Sequence, residues 1–348
     1  MKFVPRLKSA TAGPLAVMLA GMLLAGLSQA ASAKEFLRMA TLGPGTTPYM
    51  LSTMFATEVN RRMDGKEIQV NATGKGTQHA IEAAKGDLDI FVTAAIVQRL
   101  MSSGSAMYAK VDGAPEMAKK LRLMFMFPAG MYHFAVYEDS GIKAMADIKG
   151  KKVFVGPKGS AINNVVKAII KATTGYEAGT DYDAVEVSFD AGGAAFQDRR
   201  VDVYANVTNP PSPVLSQVAL SNEIRLLDLG DISGNEEMKK LYANRPGRYV
   251  DSIPAGIYGK NQVNDKDVPT LGAYMGIATR EGLSDEDVYR MLQIFWDAVE
   301  ASKTQAPWLA EITMDKAFAS ANMPLHPGAV RYYREKGLEI PAALLPAQ

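Results

Sequence analysis

Cysteine is absent from this 348-residue chain, which excludes disulfides, a thiolate zinc site and a lipid carried on an amino-terminal cysteine. An exported form therefore takes its stability from burial alone. Histidine is scarce: His79, His133 and His326 stand far apart and form no HExxH pair, so no metal is expected. Nor does charge of one sign dominate. Three of the 38 basic residues and none of the 37 acidic ones precede residue 34. Without that segment the chain stands at about −2, too near neutral for the field that draws nucleic acid or anionic lipid.

The familiar catalytic signatures are missing as well. No GxSxG elbow occurs. Gly74-Lys75 is followed by Gly76 where a phosphate-binding Walker loop requires serine or threonine, and Gly43-Pro44-Gly45 has Pro48 where the dinucleotide fingerprint needs its last glycine. Asp181 to Asp183 is too short to make a calcium loop. Neither catalysis nor a cofactor has support in these patterns.

Long apolar runs are limited to one, Pro14 to Leu27. Its 14 residues fall short of the about 20 that a membrane-spanning helix needs. With Lys2, Arg6 and Lys8 before it and Ala31-Ser32-Ala33 after it, the layout is that of a secretory signal peptide over residues 1–33, cleaved after Ala33. A soluble periplasmic protein, with no direct membrane insertion after cleavage, is the class expected. The remaining 315 residues, from a chain that is 47 % hydrophobic, suffice for a sizeable core, and domains of about 100 to 200 residues make two lobes the expectation.

What is present is an alternation of short β-like runs and helical patterns. Glu35 to Thr41 reads as a strand, and Pro48 with Leu51, Met54, Phe55 and Val59 as an amphipathic helix. "EIQVNAT" and "LDIFVTA" follow as strands around a helix from about Thr77 to Lys85, a βαβαβ pattern that belongs to a mainly parallel sheet. "KLRLMFMF" and "YHFAVYE" read as two further strands. The pattern then restarts near residue 150, with a strand over Lys152 to Val155 and a helix presenting Val165, Ile169 and Ala172 on one face. Ala80 to Ala94 can be laid over Ala194 to Thr208, each with a helix, a charged turn, an aspartate (Asp89, Asp202) and an apolar strand; two similarly built α/β lobes are expected. Later, Ser284 and Asp287 make a capping box for a helix whose buried stripe is Val288, Leu292, Phe295, Trp296 and Val299, and a last helix opens at Pro327.

Four loops follow expected strands and open expected helices: Gly43 to Thr47, Thr73 to Thr77, Thr93 to Ala95 and Gly156 to Ser160. A fifth, Thr208 to Pro211, closes the second repeat. In open parallel sheets such loops gather at the carboxyl ends of the strands, where ligands bind. Glycine admits close backbone approach, hydroxyls donate or cap, and the free N–H groups of a first helical turn face an anion. Any one of these loops alone is an ordinary tight turn with a solvated lysine; their recurrence at equivalent places points to a small carboxylate. The residues expected at the ligand are Gly45, Thr46, Thr47, Thr73, Gly76, Thr77 and Thr93 on one side and Gly159, Ser160 and Asn209 on the other, with Lys75 or Lys158 as counter-charge and Tyr49 and Tyr132 as closing rings. His79 reads as a helix-surface or capping residue and His133 as a core strand residue.

The ordered stretches "ATLGPGTTPYML", "NATGKGTQHAIEAAKGDLDIFVTAA", "DSGIKAMADIKGKKVFVGPKGSAINNVVKAII", "VDVYANVTNPPSPVL", "IPAGIYGKNQVNDKDVPTLG" and "PLHPGAVRYYREKGL" resemble the TAXI family, the solute receptors of tripartite ATP-independent periplasmic (TRAP) transporters. The resemblance runs over nearly all of residues 36–338, with departures concentrated in the loops just named. It implies a type II periplasmic binding protein, an α/β protein of two lobes joined by a hinge around a ligand cleft. Lobe one would comprise residues 34–130 and 251–348 and lobe two residues 131–250. It further implies a glutamate- or 2-oxoglutarate-like ligand, delivery to integral-membrane TRAP subunits, and a monomer. A periplasmic enzyme or a signalling receptor on the same scaffold are the alternatives.

Overall fold

The computed structural model describes residues 34–72 and 76–346, together with Met1 and Phe3. The expected leader, residues 1–33, otherwise lies outside the described residues, as do Thr73, Gly74 and Lys75.

Strand β1 (Glu35–Ala40) leads into helix α1 (Thr47–Arg62). The helix starts at Thr46 because that residue is extended, its hydroxyl accepts the Tyr49 amide, and Pro48 occupies the first turn, where no amide donor is needed. Leu51, Phe55 and Val59, four residues apart, are buried. Then come β2 (Lys66–Asn71), α2 (Gly76–Lys85), β3 (Ile90–Thr93), α3 (Ala95–Ser102) and α4 (Ala114–Ala118). The second half opens with the long β4 (Leu121–Tyr137) and continues through β5 (Lys152–Phe154), α5 (Ala161–Thr174), β6 (Asp183–Val185), α6 (Phe189–Gln197), β7 (Val203–Thr208), α7 (Pro213–Ala219), β8 (Ile224–Leu226) and α8 (Glu236–Tyr242). It closes with β9 (Arg248–Ile253), β10 (Val268–Arg280), α9 (Asp285–Ser302) and α10 (Pro327–Glu335).

Among the described residues the strands form one sheet in the order β2-β1-β3-β10-β4-β7-β5-β6, with β8 beside β4 and β9 beside β10. Its two ends are parallel units, β1 between β2 and β3, and β5 between β6 and β7. The pairings made by β4 and β10 are antiparallel, so this mixed α/β fold is two βαβαβ units joined by a pair of long strands. The two runs expected as separate strands are one strand, β4. Pro128-Ala129-Gly130 reads as a turn but is a bulge: Ala273 pairs with Gly130 and Tyr274 with Pro128, leaving Ala129 as the extra residue. Gly130 is required there, since its φ is +119° and a Cβ would lie 2.0 Å from the Thr208 carbonyl carbon.

Buried side chains form two clusters that meet at this bulge. One runs from Leu37 to Ala129 and from Ile277 onward; the other spans Met131 to Leu271 and takes in Ile253, Tyr258 and Val268, past residue 250. Phe125 stacks on Phe295 in the first, with centroids 4.5 Å apart, and Tyr204 stacks between Phe154 and Phe196 in the second, 5.5 Å from each. The whole expected stripe of α9 is buried. Its capping box is half formed: Ser284 accepts the Asp287 amide, while the Asp287 carboxylate pairs with Lys66 at 2.8 Å. His79, expected at a helix surface, is buried at 1 % exposure because α2 packs that face inward; His133 is buried in β4 as expected.

Candidate ligand-binding site

A cavity of about 380 Å³ is lined from both clusters, within the range of about 300–1,000 Å³ usual for small-molecule sites. The first βαβαβ unit contributes Leu42, Gly43 and Pro44 after β1, Gly76 and Thr77 at the start of α2, and Thr93 and Ala94 after β3, and α3 adds Ile96 and Val97. Opposing contributions come from Pro157, Ser160, Ala161, Ile162 and Val165 around the start of α5, and from Ser188, Phe189 and Asp190 around the start of α6. The central strands supply Ala129, Tyr132, Val207 and Ala273 to Met275, and the turn into β9 supplies Pro246, Gly247 and Arg248. Four helices, α2, α3, α5 and α6, therefore begin at one cavity. Their first turns bring partial positive charge to it, and amides that have no partner within the helix itself.

Arg248 is the one cation among the described lining residues. It is partly buried, its Nη1 donates to the Leu241 carbonyl at 2.8 Å, and no carboxylate pairs with it among the described residues. Burial lowers its pKa, but a guanidinium remains charged at any physiological pH. Burial raises the pKa of Tyr132, and Arg248 partly offsets that rise. Gly247 delivers the arginine. It has φ +83°, accepts the Tyr274 amide at 2.7 Å, and a Cβ on it would sit 3.3 Å from the Tyr274 carbonyl oxygen and 3.5 Å from Ala95. Asp190, the other charged lining residue, is exposed; a hydrogen bond from Ser188 holds its pKa below the ordinary value, so it is ionised at neutral pH.

Of the residues expected at the ligand, Gly76, Thr77, Thr93 and Ser160 line the cavity, as does Tyr132. Thr93 Oγ1 accepts from Gln98 at 2.7 Å and Ser160 Oγ from the Asn163 amide at 3.1 Å. Gly45, Thr46, Thr47, Tyr49, Lys158, Gly159 and Asn209 are not among the lining residues. Thr46 caps α1 and donates to the Gly43 carbonyl at 2.8 Å, and the Gly45 carbonyl accepts from Asn206 at 3.2 Å. Thr47 Oγ1 accepts the Asn209 amide at 2.9 Å, and the Asn209 side chain donates to the Pro128 and Trp308 carbonyls. These two polar residues fasten the bulge to its surroundings. Lys158 and Gly159 are exposed, and Thr73 and Lys75 lie outside the described residues. Sequence reasoning missed Arg248 altogether. "NRPGRYV" carries only the signal of a Pro-Gly turn, and nothing local marks the second of its two arginines as the more buried one.

No group of three or more metal-ligating side chains occurs among the described residues, and no described helix is long and apolar enough to cross a membrane. The model of the NMT1-like family matches residues 39–337, most of the chain, and the chain belongs to that family. Solved structures similar to it include the alkanesulfonate-binding protein SsuA from Xanthomonas axonopodis pv. citri bound to MOPS, at 16 % identity over 87 % of this chain and 84 % of that one, with a TM-score of 0.45. A TRAP periplasmic solute-binding protein from Sulfitobacter sp. with bound β-D-galacturonate shares 13 % identity over 86 % and 94 % of the two chains, TM-score 0.43. Another from Shewanella oneidensis, with bound succinate, shares 12 % over 87 % and 92 %, TM-score 0.42.

Proposed function

We propose that this chain is a periplasmic solute-binding protein that captures a small organic anion and hands it to the membrane subunits of a TRAP-type transporter. The observation that carries the reading is the convergence on one cavity of four helix starts and of Arg248, which has no carboxylate partner among the described residues. A guanidinium holds a carboxylate in a paired, planar geometry, and the helix starts add favourable potential without needing a second side chain. A charge-assisted hydrogen bond contributes about 1.5 to 3 kcal/mol and a helix terminus about 0.3 to 1. Two or three such contacts, with apolar burial at about 25 cal/mol per Å², reach the about −8 kcal/mol of micromolar binding. The glutamate- or 2-oxoglutarate-like class implied by the sequence resemblance would place a carboxylate on Arg248.

In this reading the two lobes are the two βαβαβ units with their cores, about residues 34–130 with the carboxyl-terminal part and about 131 onward, and the return to lobe one falls within β10. Ligand binding closes them around the β4–β10 crossing, shifting a population of open receptors. The Gly130 bulge is the natural place for that bending. Melting of unfolded and refolded, hence ligand-free, protein against a panel of organic acids, amino acids and neutral solutes tests the proposal. A ligand at 100 times its dissociation constant stabilises by about 2.7 kcal/mol. A panel in which neutral solutes raise the melting temperature and carboxylates do not would refute the anion assignment.

A further inference from the structure

The charge and the walls of the cleft differ in character. Arg248 is its one described cation, whereas Ile96, Ile162, Val165 and Phe189 present hydrocarbon. The Thr93 and Ser160 hydroxyl oxygens accept from Gln98 and the Asn163 amide, which leaves each with a single neutral O–H to offer a ligand. The other ionised lining residue, Asp190, has the wrong sign to hold an anion. A dicarboxylate bound through Arg248 would set its second charge among these side chains, where the described lining offers the partial charge of helix starts but no second cation. A second ionised carboxylate taken from water without a compensating cation is disfavoured. A hydrocarbon body in the same place releases water from both surfaces.

We propose that the solute is a monocarboxylate with an apolar body, an alkanoic or aromatic acid whose carboxylate pairs with Arg248 and whose hydrocarbon packs against Ile96, Val97, Ile162, Val165 and Phe189. This rests on the reading of the cleft as an anion site and narrows it against the glutamate and 2-oxoglutarate type. The inference also assigns the five apolar wall positions a role in choosing the solute, apart from their part in the core.

Calorimetric titration of refolded, ligand-free protein with hexanoate, adipate and hexanamide separates charge from hydrocarbon, because the three share one chain length. Hexanoate or the aromatic acid phenylacetate is expected to bind at least about ten-fold more tightly than adipate, and hexanoate at least about ten-fold more tightly than hexanamide, about 1.4 kcal/mol in each case. Ile96→Lys puts a cation on a partly exposed wall position and is expected to raise adipate relative to hexanoate by about ten-fold. Tighter binding of adipate, glutamate or 2-oxoglutarate than of both monocarboxylates would overturn this inference and leave the anion reading standing. Hexanamide binding as tightly as hexanoate would overturn both, and binding by neither monocarboxylate would overturn this inference.

Discussion

At one end of the sheet Asp89, just before β3, accepts the backbone amide of Arg38 in β1 at 2.8 Å; at the other, Asp202, just before β7, accepts the amide of Lys152 in β5 at 2.7 Å. The same side chain thus does the same work in both βαβαβ units, closing the edge of the central strand. The surroundings differ. Asp89 is 4 % exposed and also takes the Arg280 Nε at 2.9 Å from the end of β10, whereas Asp202 is partly exposed. Burial alone would raise the pKa of Asp89, but the Arg38 amide and the Arg280 hydrogen bond and charge outweigh it and lower the net value. The first unit is locked by the returning chain, through Arg280, α9 and α10; the second is finished by its own local strands, β8 and β9. Repetition of a unit therefore does not repeat its energetics.

The largest expected effect falls on the seam between the two. Gly130→Ala would drive a Cβ into the Thr208 backbone at a positive φ, and overpacking plus backbone strain is expected to cost about 3 kcal/mol or more, read from urea denaturation. Acid should strike the second unit next. Burial lowers the pKa of His133 from 6.5 to about 4. Its Nδ1 donates to the Met131 carbonyl at 2.9 Å, so its neutral Nε2 accepts the Tyr258 hydroxyl at 2.7 Å, and Tyr258 in turn accepts the Ser212 amide at 3.0 Å. Because the folded value is the lower one, the stabilisation is whole above about pH 6.5 and is lost as pH falls toward 4, amounting to about 3 kcal/mol there. His133→Gln should flatten that part of the stability–pH curve; an unchanged slope would show that His133 is not its source.

The aspartate pair gives the smaller contrast. Asp89→Ala leaves Arg280 without its carboxylate and exposes the first unit's edge; since both arginines are partly solvated, about 2 kcal/mol is expected in place of a fully buried pair's 3–5. Asp202→Ala should cost about 1 kcal/mol, one hydrogen bond's worth. Equal losses would mean that the chain's return does not set the first unit apart.

Much of this arrangement was legible in the chain itself. The parallel ends, the α1 and α9 stripes and the paired aspartates follow from hydrophobic period and spacing, which report what is buried along an element. The β4 bulge was not legible, because Pro128-Ala129-Gly130 carries the same residues as a turn and only pairing with β10 keeps it extended. Hydroxyls and amides in the loops were ambiguous for a related reason. Ser160 and Thr77 reach the cavity while Thr47 and Asn209 fasten backbone behind it, and residue type alone does not separate a donor to a ligand from a donor to a buried carbonyl. Arg248 was illegible because its place in the cavity depends on residues far away in sequence: Tyr132 lines the same cavity, and Ala273 of β10 is its strand partner.

Calorimetry on Arg248→Gln tests the central claim most directly, using whichever carboxylate of the melting panel binds the unaltered protein most tightly. The ligand-free variant should melt close to the parent, because Arg248 holds only the Leu241 carbonyl among the described residues. Carboxylate affinity should fall about 10- to 150-fold, the loss of one charge-assisted contact of about 1.5 to 3 kcal/mol. Undiminished carboxylate binding by a variant that melts like the parent would contradict the account.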